Sequence, residues 1–330
     1  MKEKESGLTF GIYPLGVAGT PTGLAVGPQD DYEKIQAALQ DLRVSDKTLH
    51  ARNYVIYYGP DSEGRMLAAA ERYAQGGVMT DLTVGCLQEP DIDLEGWLGF
   101  IRKLLRNHGS QLTSLQITNE PNLSFMDGSK PYVLQALVEG VVAAKAEVTQ
   151  LNLQDRVQIG FGSVPESAVT LPHFWENLAK LGGERFIRSV DFVAHNFYVD
   201  VFDENPLELS EVPAAVERTL RQFREKDLTI LGLPAHVPIR VTENGWPTGK
   251  NPFNPVERSY ERQTHVLESV IRTVYRLRNE LNITHYELFG LRDADSAKDD
   301  LFHQFGIVRD DYSPKPAYDT FKKLIQELGK

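Results

Sequence analysis

The chain has 330 residues, of which 46 are acidic and 35 are basic, giving a net charge of −11. This charge disfavours a nucleic acid or an anionic membrane as partner and suits a neutral ligand such as a sugar. Cys86 is the only cysteine, which excludes an intrachain disulfide and a cysteine-based metal cage. Hydrophobic residues make up 41%, enough for a large core in two domains or in one α/β barrel.

The sequence carries no recognisable cofactor motif. The eight histidines show no metal-binding spacing, and neither a P-loop nor a strand-linked GxGxxG pattern occurs. We therefore predict no metal and no cofactor. The N-terminal MKEKESGLTF lacks the apolar core of a signal peptide, and no run of 18 apolar residues occurs. As written, the chain is predicted to be cytoplasmic, or secreted if a signal peptide has been removed, and the sequence does not indicate an oligomeric state.

Predicted strands and helices alternate through the first half of the chain. Strands are expected at residues 8–13, 48–58, 78–86 and 112–120. Helices are expected at residues 30–42, 62–75, 93–107 and 131–151. Residues 14–28, rich in Gly and Pro, are expected to form a loop.

The same alternation continues to the C-terminus. Strands are expected at residues 156–162, 190–198, 237–243 and 283–291. Helices are expected at residues 174–181, 211–226, 256–281 and 316–328. Eight strands alternating with helices, without a linker, predict an α/β fold, a single (β/α)8 TIM barrel over residues 1–330. Active sites of such barrels lie at the C-terminal ends of the strands.

Two of these strands end in a glutamate. In LTSLQITNEPN, an alternating apolar run leads to Glu120, and Pro121 lacks the donor that a continuing strand needs, so we expect the strand to stop at Glu120. In PIRVTENGWP, Glu243 follows an apolar run and precedes a turn. Either glutamate alone is more often an exposed turn residue. Glycoside hydrolysis, however, needs one carboxylic acid and one carboxylate facing the same cleft.

These motifs resemble those of a large clan of retaining glycoside hydrolases built on (β/α)8 barrels. Residues 119–121 (NEP) resemble the acid/base motif, and residues 242–245 (TENG) resemble the nucleophile motif of the β-glucosidase branch. TENGWP followed by Thr248 and Gly249 is also similar to the β-1,3-glucanase branch, and GIVRDDYSPKPAY is similar to the end of many clan members. Clan glutamates stand on strands four and seven, where our count puts Glu120 and Glu243. The resemblance implies that Glu120 is the acid/base and Glu243 the nucleophile acting on a β-linked oligosaccharide, polysaccharide or small β-glycoside.

The resemblance implies further roles around this pair. Arg52 resembles the clan arginine that keeps the nucleophile ionised, with a surface or barrel-bottom arginine as the alternative. Asn119 should hydrogen-bond the sugar 2-hydroxyl. His195 and Tyr198 stand where clan members place a histidine and a tyrosine that contacts the nucleophile, although AHNFY departs from the commoner His-x-Tyr spacing.

An aromatic platform under the sugar ring is also expected. Many clan members have a tryptophan on strand eight, where this chain has Phe289. Either Phe289 or Trp246, in the neighbouring loop, should therefore pack against the C–H face of the sugar. Arg292 and Asp293, after strand eight, either reach sugar hydroxyls or form a structural ion pair.

Two other functions stay open at this point. One is a catalytically silent carbohydrate-binding barrel, against which the intact glutamate pair argues. The other is a phosphate-handling barrel, suggested only by Gly249 and Lys250 after strand seven. If the glutamates were misassigned, the next carboxylates to consider would be Glu89, Asp200 and Asp293. No motif fixes the sugar, the linkage or endo versus exo action.

Overall fold

The computed structural model describes residues 7–44, 47–60, 62, 73 and 76–330. Eight parallel strands form a closed barrel, and each pairs with its neighbours along the chain until the last pairs with the first. The barrel strands are β1 (Thr9–Tyr13), β4 (Leu49–Tyr57), β5 (Val78–Cys86), β6 (Leu112–Ile117), β7 (Gln158–Phe161), β8 (Phe192–Asn196), β9 (Ile239–Asn244) and β10 (Ile283–Phe289). This architecture confirms the predicted (β/α)8 TIM barrel.

Helices follow the barrel strands and cover them. They are α1 (Tyr32–Leu42), α2 (Leu94–His108), α3 (Val133–Gln150), α4 (Phe174–Ile187), α5 (Val212–Gln222), α6 (Leu228–Leu231), α7 (Tyr260–Leu277) and α8 (Pro316–Leu328). The predicted helix at residues 62–75 lies, apart from Ser62 and Tyr73, outside the described residues. Among the described residues, no helix combines the length and the apolar composition needed to cross a membrane.

The strands are buried because helices cover their outer face and side chains fill the barrel. All five residues of β1 are buried, as expected for a parallel strand covered on both faces. The barrel closes where β1 pairs with β10, from Thr9 opposite His285 to Tyr13 opposite Phe289. The main core lies between strands and helices, where apolar stripes such as Trp97, Ile101 and Leu105 of α2 are buried.

Several boundaries differ from those expected. Residues 14–28 are not a plain loop, because they contain the antiparallel hairpin of β2 (Val17–Thr20) and β3 (Gly23–Val26). Helix α4 does not end at residue 181 as expected but runs to Ile187, with a kink at Gly183, whose φ is 56°. Helix α7 starts after Ser259, whose side chain accepts the Arg262 N–H, and not at residue 256. The predicted helix at 211–226 is α5 followed by a π-helical turn at Phe223–Asp227.

Candidate active site

The chain after β6 is shaped by an unusual turn. Strand β6 ends at Ile117, and Thr118 has a φ of 62°, a left-handed conformation that is rare for a β-branched residue. The Asp127 carboxylate accepts the Asn119 N–H at 2.5 Å and holds the turn in place. The expectation that β6 continues to Glu120 is therefore wrong, because Thr118 ends the strand alternation. Asn119 and Glu120 both reach the same polar cluster, where Asn196 donates to each.

Glu120 lies in surroundings that favour its protonated form. Its side chain is buried, and Asn196 Nδ2 donates to its Oε1 at 3.0 Å. Thr242 donates its hydroxyl to Asn196 Oδ1 at 2.8 Å, which turns the amide nitrogen towards Glu120. Burial, and after it the charge of Glu243, raises the pKa of Glu120 to about 8. A carboxyl group that keeps its proton at neutral pH can act as a general acid.

Glu243 has different partners, which suit a carboxylate. Tyr54 donates its hydroxyl to Glu243 Oε1 at 2.5 Å, and Tyr198 donates to Oε2 at 2.8 Å. Burial raises the pKa of both tyrosines well above the usual value, so both stay protonated donors. Arg52 Nη2 lies 3.9 Å from Oε1 and adds positive charge. Each oxygen of Glu243 thus accepts a hydrogen bond from a phenolic donor.

Arg52 is placed inside the barrel rather than on its surface. It is fully buried, and its Nε donates to the Tyr54 hydroxyl at 2.6 Å. Its Nη2 donates to Gln116 Oε1 at 3.1 Å. The direct contact with Glu243 is long, and the hydrogen-bonded connection between the guanidinium and Glu243 runs through Tyr54. Sequence reasoning missed Tyr54, although a residue two positions after Arg52 on a strand faces the same side.

Asn196, at the end of the sixth barrel strand, and Tyr198, just after it, reach the site, and His195 does not. His195 is buried with its ring stacked on Phe223 at 3.8 Å and its Nδ1 2.9 Å from Ser163 Oγ, so it belongs to the packing between barrel and helices. The predicted substrate contact of His195 is therefore corrected. Asn196 pairs with Glu243 across β8 and β9. In a strand, residues two positions apart face the same side, so a Tyr198 that faces the site implies that Asn196 faces it too. Asn196 could therefore have been identified from the sequence.

Of the two candidate aromatic platforms, only Phe289 borders the site. Phe289 is half-buried, stacks on Tyr13 at 5.0 Å and lies 6.4 Å from the Tyr198 ring. Trp246 is fully buried, and the Arg258 guanidinium lies 4.3 Å from its ring centre. Trp246 is therefore a core residue beneath the loop, and its expected role as a sugar platform is corrected.

The other polar candidates are held in ion pairs. Arg292 pairs with Asp30 at 2.8 Å, which is the structural alternative expected for it. The three carboxylates that would be considered if the glutamates were misassigned also form ion pairs: Glu89 with Lys130, Asp200 with Arg262 and Asp293 with Lys315. Asp293 also accepts hydrogen bonds from the Ser296 hydroxyl and from the Gly306 N–H. Both of its oxygens therefore have partners within the loop that follows β10.

A buried group beneath Arg52 has the composition of a metal site. Ligand atoms of His50, Asp81 and Glu287 lie within 4.8 Å of one another. Arg52 Nη1, however, lies 3.7 Å from a carboxylate oxygen of both Asp81 and Glu287, and so already supplies positive charge there. Burial, and after it the charge of Asp81, raises the pKa of Glu287 well above its usual value. The guanidinium thus supplies positive charge to this cluster, and the raised pKa of Glu287 favours less negative charge there.

Comparisons with known proteins are informative at the level of fold. No protein-family model matches this chain, and no curated protein matches it in sequence. A family 1 β-glucosidase from Thermotoga maritima is similar with a TM-score of 0.63, at 14% identity over 100% of both chains. A family 39 glycoside hydrolase from the gut symbiont Bacteroides cellulosilyticus WH2 is similar with a TM-score of 0.60 at 15% identity. The match covers 99% of this chain and 65% of that one. A family 17 β-1,3-glucanosyltransferase from Rhizomucor miehei is similar with a TM-score of 0.57 at 16% identity. The match covers 94% of this chain and 96% of that one.

These structural neighbours are glycoside hydrolases by their names. At such low identity the likeness concerns the barrel itself, and function has to be argued from the site. The chain spans just under two thirds of the family 39 hydrolase.

Proposed function

We propose that this chain is a retaining glycoside hydrolase that cleaves β-glycosidic bonds by double displacement, with Glu120 as acid/base and Glu243 as nucleophile. The contrast between the two carboxyl groups carries the proposal. Glu120 accepts an amide N–H in a buried setting that raises its pKa, whereas Glu243 accepts from two phenolic hydroxyls beside a guanidinium. A pair of carboxyl groups with opposed protonation states is what this reaction requires.

In the first step, a Glu243 oxygen attacks the anomeric carbon and forms an ester bond as the glycosidic C–O bond breaks. The Glu120 proton passes to the departing oxygen, which leaves as an alcohol. In the second step, Glu120, now a carboxylate, takes a proton from water, and the water oxygen attacks the anomeric carbon. The ester bond to Glu243 breaks, and two inversions give net retention. The phenol donors of Tyr54 and Tyr198 orient Glu243 and stabilise its charge when it leaves.

The neighbouring residues fit roles in binding the sugar that is cleaved. The Asn119 side chain lies 3.5 Å from Arg52 and 3.3 Å from Asn196, beside Glu120, where it can meet a 2-hydroxyl. Phe289 offers an apolar ring at the site edge for the C–H face of the sugar. The substrate is proposed to be a β-linked oligosaccharide, polysaccharide or small β-glycoside. One solved neighbour, a β-1,3-glucanosyltransferase, is described in complex with laminaritriose, which makes β-glucans the first probes to try.

Variants at the two glutamates test the proposal on an aryl β-glycoside with a good leaving group. Glu243→Ala should nearly abolish turnover, because no covalent intermediate can form. Glu120→Ala should retain the first step, which needs little protonation here, so a glycosyl-enzyme should accumulate. Azide should then release a β-glycosyl azide from Glu120→Ala and an α-glycosyl azide from Glu243→Ala, and NMR distinguishes the two.

The proposal would be contradicted if both variants kept substantial activity, since a silent binding barrel or other carboxylates would then be indicated. The same azide response from both variants would show that the roles are wrongly assigned. Asp155→Ala is a suitable control, because Asp155 is an exposed carboxylate in the turn before β7, at the opposite end of the barrel.

A further inference from the structure

Three phenylalanines from three loops meet beside the site. Phe202 follows β8, Phe253 follows β9 and Phe302 follows β10. The Phe202 ring lies 6.2 Å from Phe253 and 6.4 Å from Phe302. Phe202 and Phe253 are nevertheless 46% and 45% exposed, and Phe302 is half-buried. We refer to these three side chains as the outer aromatic platform.

The platform is continuous with the catalytic pair. Tyr198, whose hydroxyl donates to Glu243, has its ring 5.7 Å from Phe202 in an edge-to-face contact. Phe302 and Phe289 also line a common small surface cleft, together with Tyr13. Aromatic surface therefore runs from Glu243 outward across the loops after β8, β9 and β10. Large apolar rings that stay exposed next to a catalytic cleft indicate a binding surface rather than packing.

The polar groups beside the platform indicate what it binds. Asp203 and Glu204 follow Phe202 directly, and both are exposed. Flat apolar rings bordered by hydrogen-bond acceptors match a pyranose, which has C–H groups on its faces and hydroxyl donors at its edge. A wholly apolar ligand would desolvate these carboxylates without giving them partners. An anionic ligand would be repelled by them.

We propose that the outer aromatic platform binds a further neutral pyranose unit of the substrate, beyond the sugar held at Phe289. This inference rests on the proposed function and adds its substrate class: an oligosaccharide chain that extends over the loops after β8 and β9. Binding energy from this remote unit would be available to the reaction at Glu243. Oligosaccharides should therefore be cleaved with a higher kcat/KM than a monoglycoside with the same linkage.

Substitutions on the platform, with a matched control, test this inference. Wild type, Phe202→Ala and Phe253→Ala are compared on laminaritetraose, cellotetraose and 4-nitrophenyl β-glucoside. Phe125→Ala is the control, because Phe125 is 41% exposed in the loop after β6 and makes no ring contact with another described aromatic residue. Phe202→Trp keeps a flat ring and should retain wild-type activity.

The expected result is a loss that depends on substrate length. On the preferred tetrasaccharide, kcat/KM should fall about ten-fold for each alanine variant, as expected for the loss of one aromatic contact. On the nitrophenyl glucoside and in the Phe125→Ala control, the change should stay below about two-fold, because neither involves the platform. Equal losses on both substrate types would overturn the inference, since Phe202 would then act only by positioning Tyr198. A loss confined to 4-nitrophenyl β-glucoside would also overturn it, because the platform would then contact the aromatic aglycone and not a sugar.

Direct binding separates this inference from the proposed function. If the wild type cleaves the nitrophenyl glucoside but the platform variants show no dependence on length, the inference fails alone. If the wild type cleaves none of the probes, the proposed function fails for β-glucosides, and calorimetry with the tetrasaccharides then tests the platform by itself. Weaker binding by Phe202→Ala than by Phe125→Ala would support the platform, and equal affinity would overturn it.

Discussion

At the scale of single residues, the Tyr54 hydroxyl bridges the Arg52 guanidinium and the Glu243 carboxyl group, whose direct contact is long. Arg52 Nη2 and Glu243 Oε1 are 3.9 Å apart, but the Tyr54 hydroxyl accepts from Arg52 Nε at 2.6 Å and donates to Glu243 at 2.5 Å. A hydrogen bond that involves a charged group is stronger than one between neutral groups. Tyr54 is therefore both a donor to the nucleophile and the link that transmits the charge of Arg52.

Removing this hydroxyl should impair the chemistry while leaving the barrel folded. In Tyr54→Phe we expect kcat to fall about 10- to 100-fold, because the carboxylate loses a preorganised donor. Tyr58→Phe, at an exposed tyrosine just after the same strand, is the control. Steady-state kinetics and a cooperative thermal transition measure the two properties. Wild-type kcat in Tyr54→Phe would show that Arg52 acts directly or not at all.

The protonation of Glu120 gives a prediction about pH. Burial raises its pKa to about 8, so the acid is available below that pH and is lost as pH rises through it. For a glycoside with a poor leaving group, kcat/KM should therefore fall above about pH 8. For an aryl glycoside with a good leaving group, which needs little protonation, the alkaline fall should be much weaker. The same alkaline limb for both substrates would argue against Glu120 as the acid.

At the scale of elements, the end of β6 shows where sequence patterns stop being sufficient. The alternation of LTSLQI correctly predicts a strand with Leu115 and Ile117 buried. Nothing in the pattern predicts that Thr118 adopts a φ of 62° or that Asp127 accepts the Asn119 N–H. Such a conformation is held by contacts made elsewhere in the chain, and it is often found at functional sites. The position of Glu120 was thus predictable, but the geometry that delivers it was not.

Asp127 is accordingly expected to matter for activity although it does not touch Glu243. Asp127→Ala leaves the Asn119 N–H without its acceptor and frees the turn that orients Glu120. We expect kcat/KM to fall about 10- to 100-fold, since small displacements of catalytic groups are costly. Circular dichroism and thermal unfolding should still show a folded barrel. Unchanged kinetics would indicate that Glu120 is oriented by Asn196 alone.

At the scale of the whole molecule, barrel closure brings β6 and β9 to one mouth, although they are distant in the chain. The repeating order of strands and helices predicted this arrangement, because eight such units without a linker are typical of a closed barrel. His195 and Trp246 could not be assigned in the same way. The burial of their rings depends on packing against Phe223 and Arg258, which appears only when the layers assemble. The hairpin of β2 and β3 was not predicted, because the Gly and Pro content of residues 14–28 indicated a loop.

Glu120 and Glu243 are proposed to cleave a β-glycoside together, with retention of the anomeric configuration. The most direct measurement is proton NMR of the first sugar released by the wild type from the aryl β-glycoside that it cleaves best. We predict that the β-anomer appears first and that the α-anomer grows in only by mutarotation. Initial release of the α-anomer would contradict the account, because Glu243 would then activate water and not form a covalent bond to the sugar.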